Sequence, residues 1–484
     1  MSSISTGGKG TTGIPLKVSV VVGFLVFVEL TSGFIQGFYM PLFGAIAKHF
    51  NVSDADITWF NTLQTLAAGV CVPILAKLGD IFGHRRILRL AIISVLIGGL
   101  LVALSPTFEL ALVGRILTGP LAVWLPLEIA LVHNKITGDS ARKSIGLLVS
   151  ALTIGAVIGT LASGGIASIV SNMTVLLLVP VVITAVCTVI VYTKVPESDI
   201  RTNPKIDYVG FTGLAVFMMA LLWGLRSAQG SGFASAGVII PLVIAAVVLV
   251  AWITYELRVD VPAIHVRLIA SRALWPVYAT SFLFGMVLFG TQTITTTFLA
   301  GNPDLVGYGF AFKPGTIALF SAGGALLAAV GASTFAYLAK PLGMRGVLVV
   351  ATVLGAAANL VLLFGHASIA LVILSTVMSG LAGGFLLGTL PALVAELSPR
   401  DQTGIATGVY NSLKTLGGSA AGAVFGVILS SFALAGTKSA SLGGYQTIWI
   451  FCIVAFIICP VALMFKPKSG SGADEPLEEN VEVK

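Results

Sequence analysis

Four charged residues interrupt long apolar stretches of this sequence: Glu29, Arg115, Glu128 and Lys414. A charge at the centre of a lipid-embedded helix costs about 2.5–3.5 kcal/mol on insertion scales, so such residues are seldom carried without a function. A carboxyl group that is wetted alternately from two sides can bind and release a proton. We therefore predict that Glu29, Arg115 and Glu128 take part in proton coupling.

Each of these residues also has a simpler interpretation. Glu29 could be a buried carboxyl paired for structure alone, and Glu128, near the end of its stretch, could reach the membrane surface or cap a helix. Arg115 is expected to lie too far from Glu29 for a direct pair. Lys414 could offset Glu29 across the molecule or contact an anionic part of a substrate, and the sequence favours neither.

Polar and aromatic residues that could line a substrate cavity cluster on a few of the apolar stretches. Taken singly, each is more typical of a hydrogen bond between helices than of a ligand contact, but their clustering favours a shared cavity. With Lys414, the predicted lining comprises Gln36, Tyr39, Asn61, Gln64, Trp124, Gln292, Asn359, Tyr410 and Asn411.

The elements that must position these residues are membrane-spanning helices. The chain has 484 residues, 56% hydrophobic and 10% charged, with a mean hydropathy of +1.01, whereas soluble domains contain about 25% charged residues. About 20 apolar residues cross a bilayer as a helix. Fourteen segments qualify: 18–46, 57–79, 87–105, 108–133, 142–170, 173–193, 209–227, 236–257, 272–299, 313–339, 346–365, 368–395, 404–433 and 445–465.

The positive charges lie mostly on one side of these predicted helices. Of 27 Lys and Arg residues, 21 fall in loops of one side, two lie within spans, and the other side holds only Lys48, Arg226, Lys313 and Lys438. The positive-inside rule then places both termini in the cytoplasm of a multi-pass protein of the cell membrane. The net charge of +7 therefore indicates membrane topology rather than nucleic-acid binding. The four cysteines lie in apolar segments without ligand spacing, so we expect neither disulfides nor a metal site.

Two sequence echoes indicate an internal duplication. Leu78, Gly83 and Arg85 recur 260 residues later, and Gly146 with Gly155 recurs as Gly408 with Gly417. We expect two six-helix bundles, 18–193 and 272–465, with linkers and two extra helices in 194–271. A cytoplasmic segment (1–17) and a disordered acidic tail (466–484) complete the chain. Gly146, Gly155 and Gly159 are predicted to allow close helix packing.

The loop Ala76-Lys77-Leu78-Gly79-Asp80-Ile81-Phe82-Gly83-His84-Arg85-Arg86 resembles the loop signature of the major facilitator superfamily. Asp207 with Gly210, and Glu256 with Pro262 and Arg267, are similar to the motifs that open and close the inserted helices of its fourteen-helix drug:proton antiporter family. The resemblance implies a conformational latch of Asp80, Gly83, Arg85 and Arg86, with Asp80 facing the N-terminus of a second-half helix. The sequence departs from the family at Ile81 and His84, where basic residues are usual, and at Thr160, where the antiporter motif has proline.

The apolar spans indicate an all-α integral membrane protein, and the resemblance implies the major facilitator fold and a proton-coupled exporter of small amphipathic compounds or drugs working by alternating access. An uptake permease or a dedicated metabolite carrier of the same fold is the alternative. We do not expect an enzyme, since no metalloprotease motif or catalytic pair is present, nor an ATP-driven pump, since the phosphate-binding loop is missing. A membrane sensor that does not transport is a further alternative, but it would need a soluble domain to pass its signal on. The expected partners are a small-molecule substrate, protons and the bilayer, with no cofactor and a monomeric chain.

Overall fold

A computed structural model describes residues 16–135, 138–195, 207–231, 234–260, 262–398 and 403–464. The predictions for residues 1–15, for most of the linker after residue 195 and for the acidic tail lie outside them. The described chain folds into seventeen α-helices: α1 Leu16–Phe38, α2 Phe43–Phe50, α3 Asp54–Phe82, α4 His84–Leu104, α5 Phe108–Leu117, α6 Trp124–Lys135, α7 Gly138–Ile169, α8 Met173–Lys194, α9 Tyr208–Ser231, α10 Ala236–Glu256, α11 Val266–Ile269, α12 Trp275–Ala300, α13 Pro303–Val306, α14 Pro314–Gly365, α15 Ile369–Leu397, α16 Thr403–Ser431 and α17 Leu442–Met464.

The predicted number of membrane spans is confirmed. Within the described residues, thirteen helical stretches are long and apolar enough to cross a bilayer. The longest, α14, contains two helices, because Gly343 interrupts it with a non-helical conformation at φ 69°. Such a positive φ is readily adopted only by glycine. Counting α14 twice gives fourteen spans.

Proline breaks two of the predicted spans. The first changes at Met40–Leu42 into a 3₁₀ turn containing Pro41 before it continues as α2. The fourth changes at Gly119–Val123, which contains Pro120, before α6 begins. Proline has no N–H to donate to the preceding turn, so the α-helical hydrogen-bond pattern stops there.

The first half of the chain packs around α1 and α7. A Cβ on Gly155 would overlap the Leu30 carbonyl oxygen, and a Cβ on Gly159 would overlap that of Phe34, so these glycines let the two backbones touch. From α1, Gly33 and Gly37 meet α7 in the same way. The prediction of close packing at Gly146 is wrong. No atom lies within 4 Å of a Cβ placed on Gly146, because this part of α7 faces open space.

The second half repeats this arrangement with α12 and α16. A Cβ on Gly417 would overlap the carbonyl oxygen of Phe282, whereas a Cβ on Gly408 would meet no atom within 4 Å. The loop echo is structural as well, since Gly83 and Gly343 both have positive φ, 103° and 69°. The duplicated glycines therefore occupy matching backbone positions in the two halves.

The two halves are joined at the end of the molecule where α3 begins. The Asp54 N–H donates to the Lys438 carbonyl at 2.9 Å. Its carboxylate accepts the Ala440 N–H at 3.2 Å and the Tyr445 hydroxyl at 3.1 Å. Further along α3, the Asn61 amide donates to the Phe289 carbonyl at 3.1 Å. We call this the Asp54 end and the opposite one the Gly83 end. In this conformation the two halves are in direct contact at the Asp54 end.

The inserted helices α9 and α10 form a hairpin against α3 and α16. Leu214, Met218 and Leu222 of α9 belong to the same apolar cluster as Trp59 and Leu66 of α3. Near the Asp54 end, Arg226 of α9 forms an ion pair with Asp56 of α3 at 2.5 Å. The hairpin therefore lies over the seam between the halves.

Candidate functional site

Two buried carboxyl groups meet inside the first half. Glu29 of α1 and Glu128 of α6 are both 0% exposed, and none of their four carboxyl oxygens has a hydrogen-bond partner. The two groups are close enough to interact electrostatically. A buried polar group without a partner is strongly destabilising. This pair is therefore a costly feature that folding alone does not explain.

Helix packing determines where this pair lies. Glu29 precedes Leu30, whose carbonyl touches Gly155, so the close approach of α1 and α7 positions it. Glu128 follows the proline-containing turn Gly119–Val123, which redirects the chain into α6. The possibility that Glu128 reaches the membrane surface is wrong, because its side chain has no exposed area.

Two further buried side chains, Trp124 and Cys187, lie on α6 and α8. Trp124 lies one turn before Glu128 on α6, is 0% exposed and has an indole N–H without a partner. On α8, the buried Cys187 interacts electrostatically with both carboxyl groups. Sequence reasoning missed Cys187, because an isolated cysteine in an apolar helix carries no spacing signal.

Arg115 occupies a separate cluster with aromatic residues. Its Nε donates to the Phe60 carbonyl at 2.9 Å, and its Nη2 donates to the Gln64 side chain. The guanidinium carbon lies 4.7 Å from the ring centroid of Tyr39 and 4.5 Å from that of Phe60. Such cation–π contacts stabilise a desolvated charge. Arg115 is thus held against α3, and its described contacts do not include Glu29.

Lys414 contacts an aromatic ring. Its Nζ lies 5.1 Å from the ring centroid of Tyr410, one turn earlier on α16. No ion pair joins Lys414 to Glu29 among the described residues. In this conformation Lys414 therefore does not neutralise Glu29 by direct contact. A contact with an anionic substrate stays a prediction.

The predicted cavity residues do not form one lining. Gln36 and Asn411 are exposed, and Gln292 and Lys414 are half-buried. Tyr39, Asn61 and Gln64 are engaged in the contacts given above. The prediction that Trp124 and Asn359 line the cavity is wrong. Trp124 belongs to the apolar core of the first half, and the Asn359 amide donates to the Gly355 carbonyl of its own helix at 2.9 Å. Tyr410 is also buried.

Of the predicted latch residues, Asp80 and Arg85 have described contacts within their own half of the molecule. The half-exposed Asp80 carboxylate lies 3.0 Å from His84 Nε2, one turn along the chain. Gly83 ends α3 at φ 103°, and Arg85 donates to the Tyr192 carbonyl of α8 at 2.9 Å. Arg86 is exposed beside them. Within the described residues, Asp80 therefore contacts His84 rather than a helix of the second half.

Asp54 is a contact residue that sequence reasoning missed. The pattern Ser53-x-x-Asp56 signals a capping box, which is present at the start of α3. That local signal does not reveal the partners of Asp54, which lie almost 400 positions later in the chain. No group of three or more His, Cys, Asp or Glu that could hold a metal occurs in the part of the chain that the structure describes.

Comparisons with known proteins agree with this architecture. A family model described as the Major Facilitator Superfamily matches residues 25–422 and, in a second match, 300–483. An uncharacterized MFS-type transporter of Mycobacterium tuberculosis is 26% identical over 428 residues, which cover 86% of this chain and 60% of that protein. This chain therefore spans less than two thirds of that relative's length.

Two further matches come from characterised proteins. The multidrug efflux pump LfrA of Mycolicibacterium smegmatis is 24% identical over 452 residues, covering 89% of this chain and 85% of LfrA. The crystal structure of the nucleoside transporter NupG superposes with a TM-score of 0.65 at 13% identity, covering 92% of this chain and 98% of NupG. At that identity the structural match supports the fold alone.

Proposed function

Since the chain belongs to the major facilitator superfamily, we propose that it is a proton-coupled exporter of small amphipathic compounds working by alternating access. The observation that carries this proposal is the buried pair Glu29 and Glu128, whose carboxyl oxygens have no hydrogen-bond partners. The match to a multidrug efflux pump over most of both chains supports export.

The carboxyl pair supplies a way to carry one proton through each transport cycle. Two like charges this close destabilise each other, so the pair is stable when one carboxyl is protonated. The proton comes from water on one side of the membrane and binds to Glu29 or Glu128. When the two halves tilt relative to each other and substrate enters the cavity, the carboxyl group releases this proton to water on the other side. A cationic or polar substrate then competes with the proton for the same carboxylates.

Arg115 contributes a fixed positive charge to this cycle. Its contacts with Phe60, Gln64 and Tyr39 hold it on the α3 side of the first half. From there it favours release of the proton through space rather than by a direct ion pair. The half-buried and exposed polar residues Gln36, Gln292, Asn411 and Lys414 are the proposed substrate contacts.

The charge asymmetry of the loops supports an orientation with the Gly83 end in the cytoplasm and the Asp54 end outside. The hydrogen bonds between the halves at the Asp54 end would then hold the outer side together. The latch of Asp80 with a second-half helix is proposed for the opposite state, in which the Gly83 end closes. A cysteine at Ser439 should react with impermeant thiol reagents in intact cells. If that cysteine does not react, the Asp54 end faces the cytoplasm and the proposed orientation is wrong.

Uptake is the second candidate function. The helix α7 carries Thr160 where the antiporter motif has proline, and it runs unbroken from Gly138 to Ile169. The Thr160 hydroxyl donates to the Ala156 carbonyl at 2.8 Å, a bond within the helix. The departure from the antiporter motif at Thr160 is therefore the observation that keeps uptake as the second candidate.

The test uses purified full-length protein in proteoliposomes. A panel of fluorescent amphipathic dyes is first screened for movement under an imposed pH gradient, and its direction separates export from uptake. With a transported dye, Glu29→Gln should abolish uphill, pH-driven accumulation and keep downhill exchange, because the amide preserves shape but cannot cycle a proton. Glu128→Gln should act similarly, and Glu109→Gln, an exposed acid at the start of α5, is the matched control.

Two results would contradict this proposal. If both Glu29→Gln and Glu128→Gln still concentrate the dye against its gradient, the proton travels elsewhere. If no dye moves under a pH gradient of either sign, proton coupling itself is wrong.

A further inference from the structure

The inserted hairpin contains a second buried carboxyl pair, at the Gly83 end of the molecule. Asp207 immediately precedes α9 and is 6% exposed, and Glu256 is the last residue of α10 and is 3% exposed. The fold brings together two acids that are separated by the whole hairpin. Neither belongs to the Glu29–Glu128 site.

Three of the four carboxylate oxygens in this pair accept hydrogen bonds. Asp207 Oδ1 accepts the Gly210 N–H at 2.8 Å and the Tyr255 hydroxyl at 2.9 Å. Asp207 Oδ2 accepts the Ala263 N–H at 3.2 Å, and Glu256 Oε2 accepts the Ile264 N–H at 3.4 Å. The fourth oxygen, Glu256 Oε1, is buried and has no partner. Of the four oxygens, Glu256 Oε1 is therefore the one at which a bound proton would supply the missing hydrogen bond.

Gly210 brings the unpartnered oxygen next to the other acid. A Cβ on this residue would overlap both Asp207 Oδ2 and Glu256 Oε1, so the two oxygens face each other across a glycine with no side chain between them. The indole N–H of Trp252 donates to the Gly210 carbonyl at 2.7 Å and holds this backbone in place. Two ionised carboxylates in such a position repel each other, and one shared proton removes the repulsion.

The charged neighbours of the pair lie on α3 and on the chain after α10. Lys77 of α3 is attracted to Asp207 and Glu256, and also to Asp80, while its Nζ lies 5.7 Å from the ring centroid of Phe211. Burial and the nearby Lys77 lower the pKa of His265, so this imidazole is neutral at neutral pH. Tyr255 is a donor to Asp207. Among the described residues, the cation shown to face these two carboxyl groups is Lys77, and a proton balances the second charge.

We propose that Asp207 and Glu256 form a second protonation site, with the proton on Glu256 Oε1 donated to Asp207 Oδ2. The proton comes from water at the Gly83 end and returns to it, and no other bond changes. When the pair loses its proton, its attraction for Lys77 increases and the end of α3 is held against the hairpin. When it binds the proton, that hold weakens. The inserted hairpin thereby makes the position of α3 respond to pH.

This inference does not depend on the transported compound or on its direction. The test therefore needs no substrate and uses full-length protein in lipid nanodiscs, with the native cysteines replaced. Spin labels at Phe82 and Leu342, both exposed at the Gly83 end, report the distance between α3 and the second half from acidic to alkaline pH. Difference infrared spectra over the same range report the protonated carboxyl.

We expect the distance distribution to change with pH at one midpoint, with loss of a carboxyl band. Glu256→Gln should remove both changes and keep the low-pH distribution at every pH. Glu29→Gln and the exposed control Glu396→Gln should retain the distance change. Lys77→Gln should remove the distance change, because α3 then carries no cation for the pair to attract, and should move the midpoint of the carboxyl band to higher pH by about one unit, because a neighbouring cation favours the ionised pair.

Two outcomes would overturn the inference. If Glu256→Gln shows the wild-type distance change and carboxyl band, the proton is held elsewhere. If Lys77→Gln retains the wild-type distance change, or leaves the midpoint of the carboxyl band in place or lowers it, α3 does not sense the pair. Loss of the distance change in Glu29→Gln instead would assign the pH response to the first-half site, which would contradict this inference but not the proposed transport function.

Discussion

The two halves share a backbone arrangement but differ in their chemistry. The carbonyl of Leu30 touches Gly155 in the first half, and the carbonyl of Phe282 touches Gly417 in the second. The residue before Leu30 is Glu29, and the residue before Phe282 is Ser281. Both are buried, but the Ser281 hydroxyl donates to the Val277 carbonyl of its own helix at 2.7 Å. Glu29 has no such partner.

The loops at the Gly83 end differ in the same way. Gly83 and Gly343 both turn the chain with positive φ. Asp80 lies beside His84 in the first loop, whereas the matching Lys340 lies over the ring of Tyr337 at 5.6 Å in the second. The two halves therefore share the packing glycines, but among the described residues of the two halves the buried acids Glu29 and Glu128 and the loop acid Asp80 lie in the first.

The largest expected effect comes from breaking the shared packing. Gly155→Leu and Gly417→Leu should each remove most of the folded protein, because the new side chain overlaps a carbonyl of the facing helix. Overpacking of this kind costs about 1–3 kcal/mol and occasionally more. Fluorescence-detected size-exclusion chromatography and thermal unfolding in detergent measure the loss.

The chain supplies the matched controls for that experiment. Gly146→Leu and Gly408→Leu lie on the same two helices but face open space, so they should fold like the wild type. Equal losses at all four positions would mean that helix flexibility, rather than contact between α1 and α7 or α12 and α16, requires glycine.

Exchanging the chemistry between the halves should have the next largest effect. Ser281→Glu places a carboxyl at the position that matches Glu29 and should lower stability by about 2.5–3.5 kcal/mol. Glu29→Ser should fold well but lose pH-driven transport, and the double variant should not regain it, because the described part of the second half holds no buried acid that could replace Glu128. Thermal unfolding and dye accumulation measure the two effects. Recovery of transport in the double variant would show that the halves are chemically interchangeable.

The smallest expected effect concerns the two loops. If Asp80 meets a helix N-terminus when the Gly83 end closes, Asp80→Asn should remove about 0.3–1 kcal/mol. The ratio of closed to open molecules should then fall by up to about fivefold. Thiol accessibility at the Gly83 end measures this ratio, and Lys340→Gln should leave it unchanged. A matching shift in Lys340→Gln would assign the effect to general surface charge.

Much of the fold could be predicted because its signals are local. Apolar runs of sufficient length predict the spans, and Pro41, Pro120 and Gly343 each act on the turn that contains them. The loop from Ala76 to Arg86 indicated the family that the chain-wide match confirms. The motif acids Asp207 and Glu256 were recognised from sequence as well, but their meeting across Gly210 was not.

The sequence by itself therefore determined the membrane class, the spans and the presence of charges within them, because hydropathy acts over a few turns, whereas the breaks at Pro41 and Pro120 fall inside spans that were predicted as continuous. Only the tertiary structure decided which groups meet. It placed Glu29 beside Glu128 rather than Lys414, buried Trp124 in the core, left Gly146 in open space and joined Asp54 to Tyr445. The physical reason is that such partners depend on how helices distant in sequence rotate and pack against each other, and that arrangement is settled by the whole bundle at once.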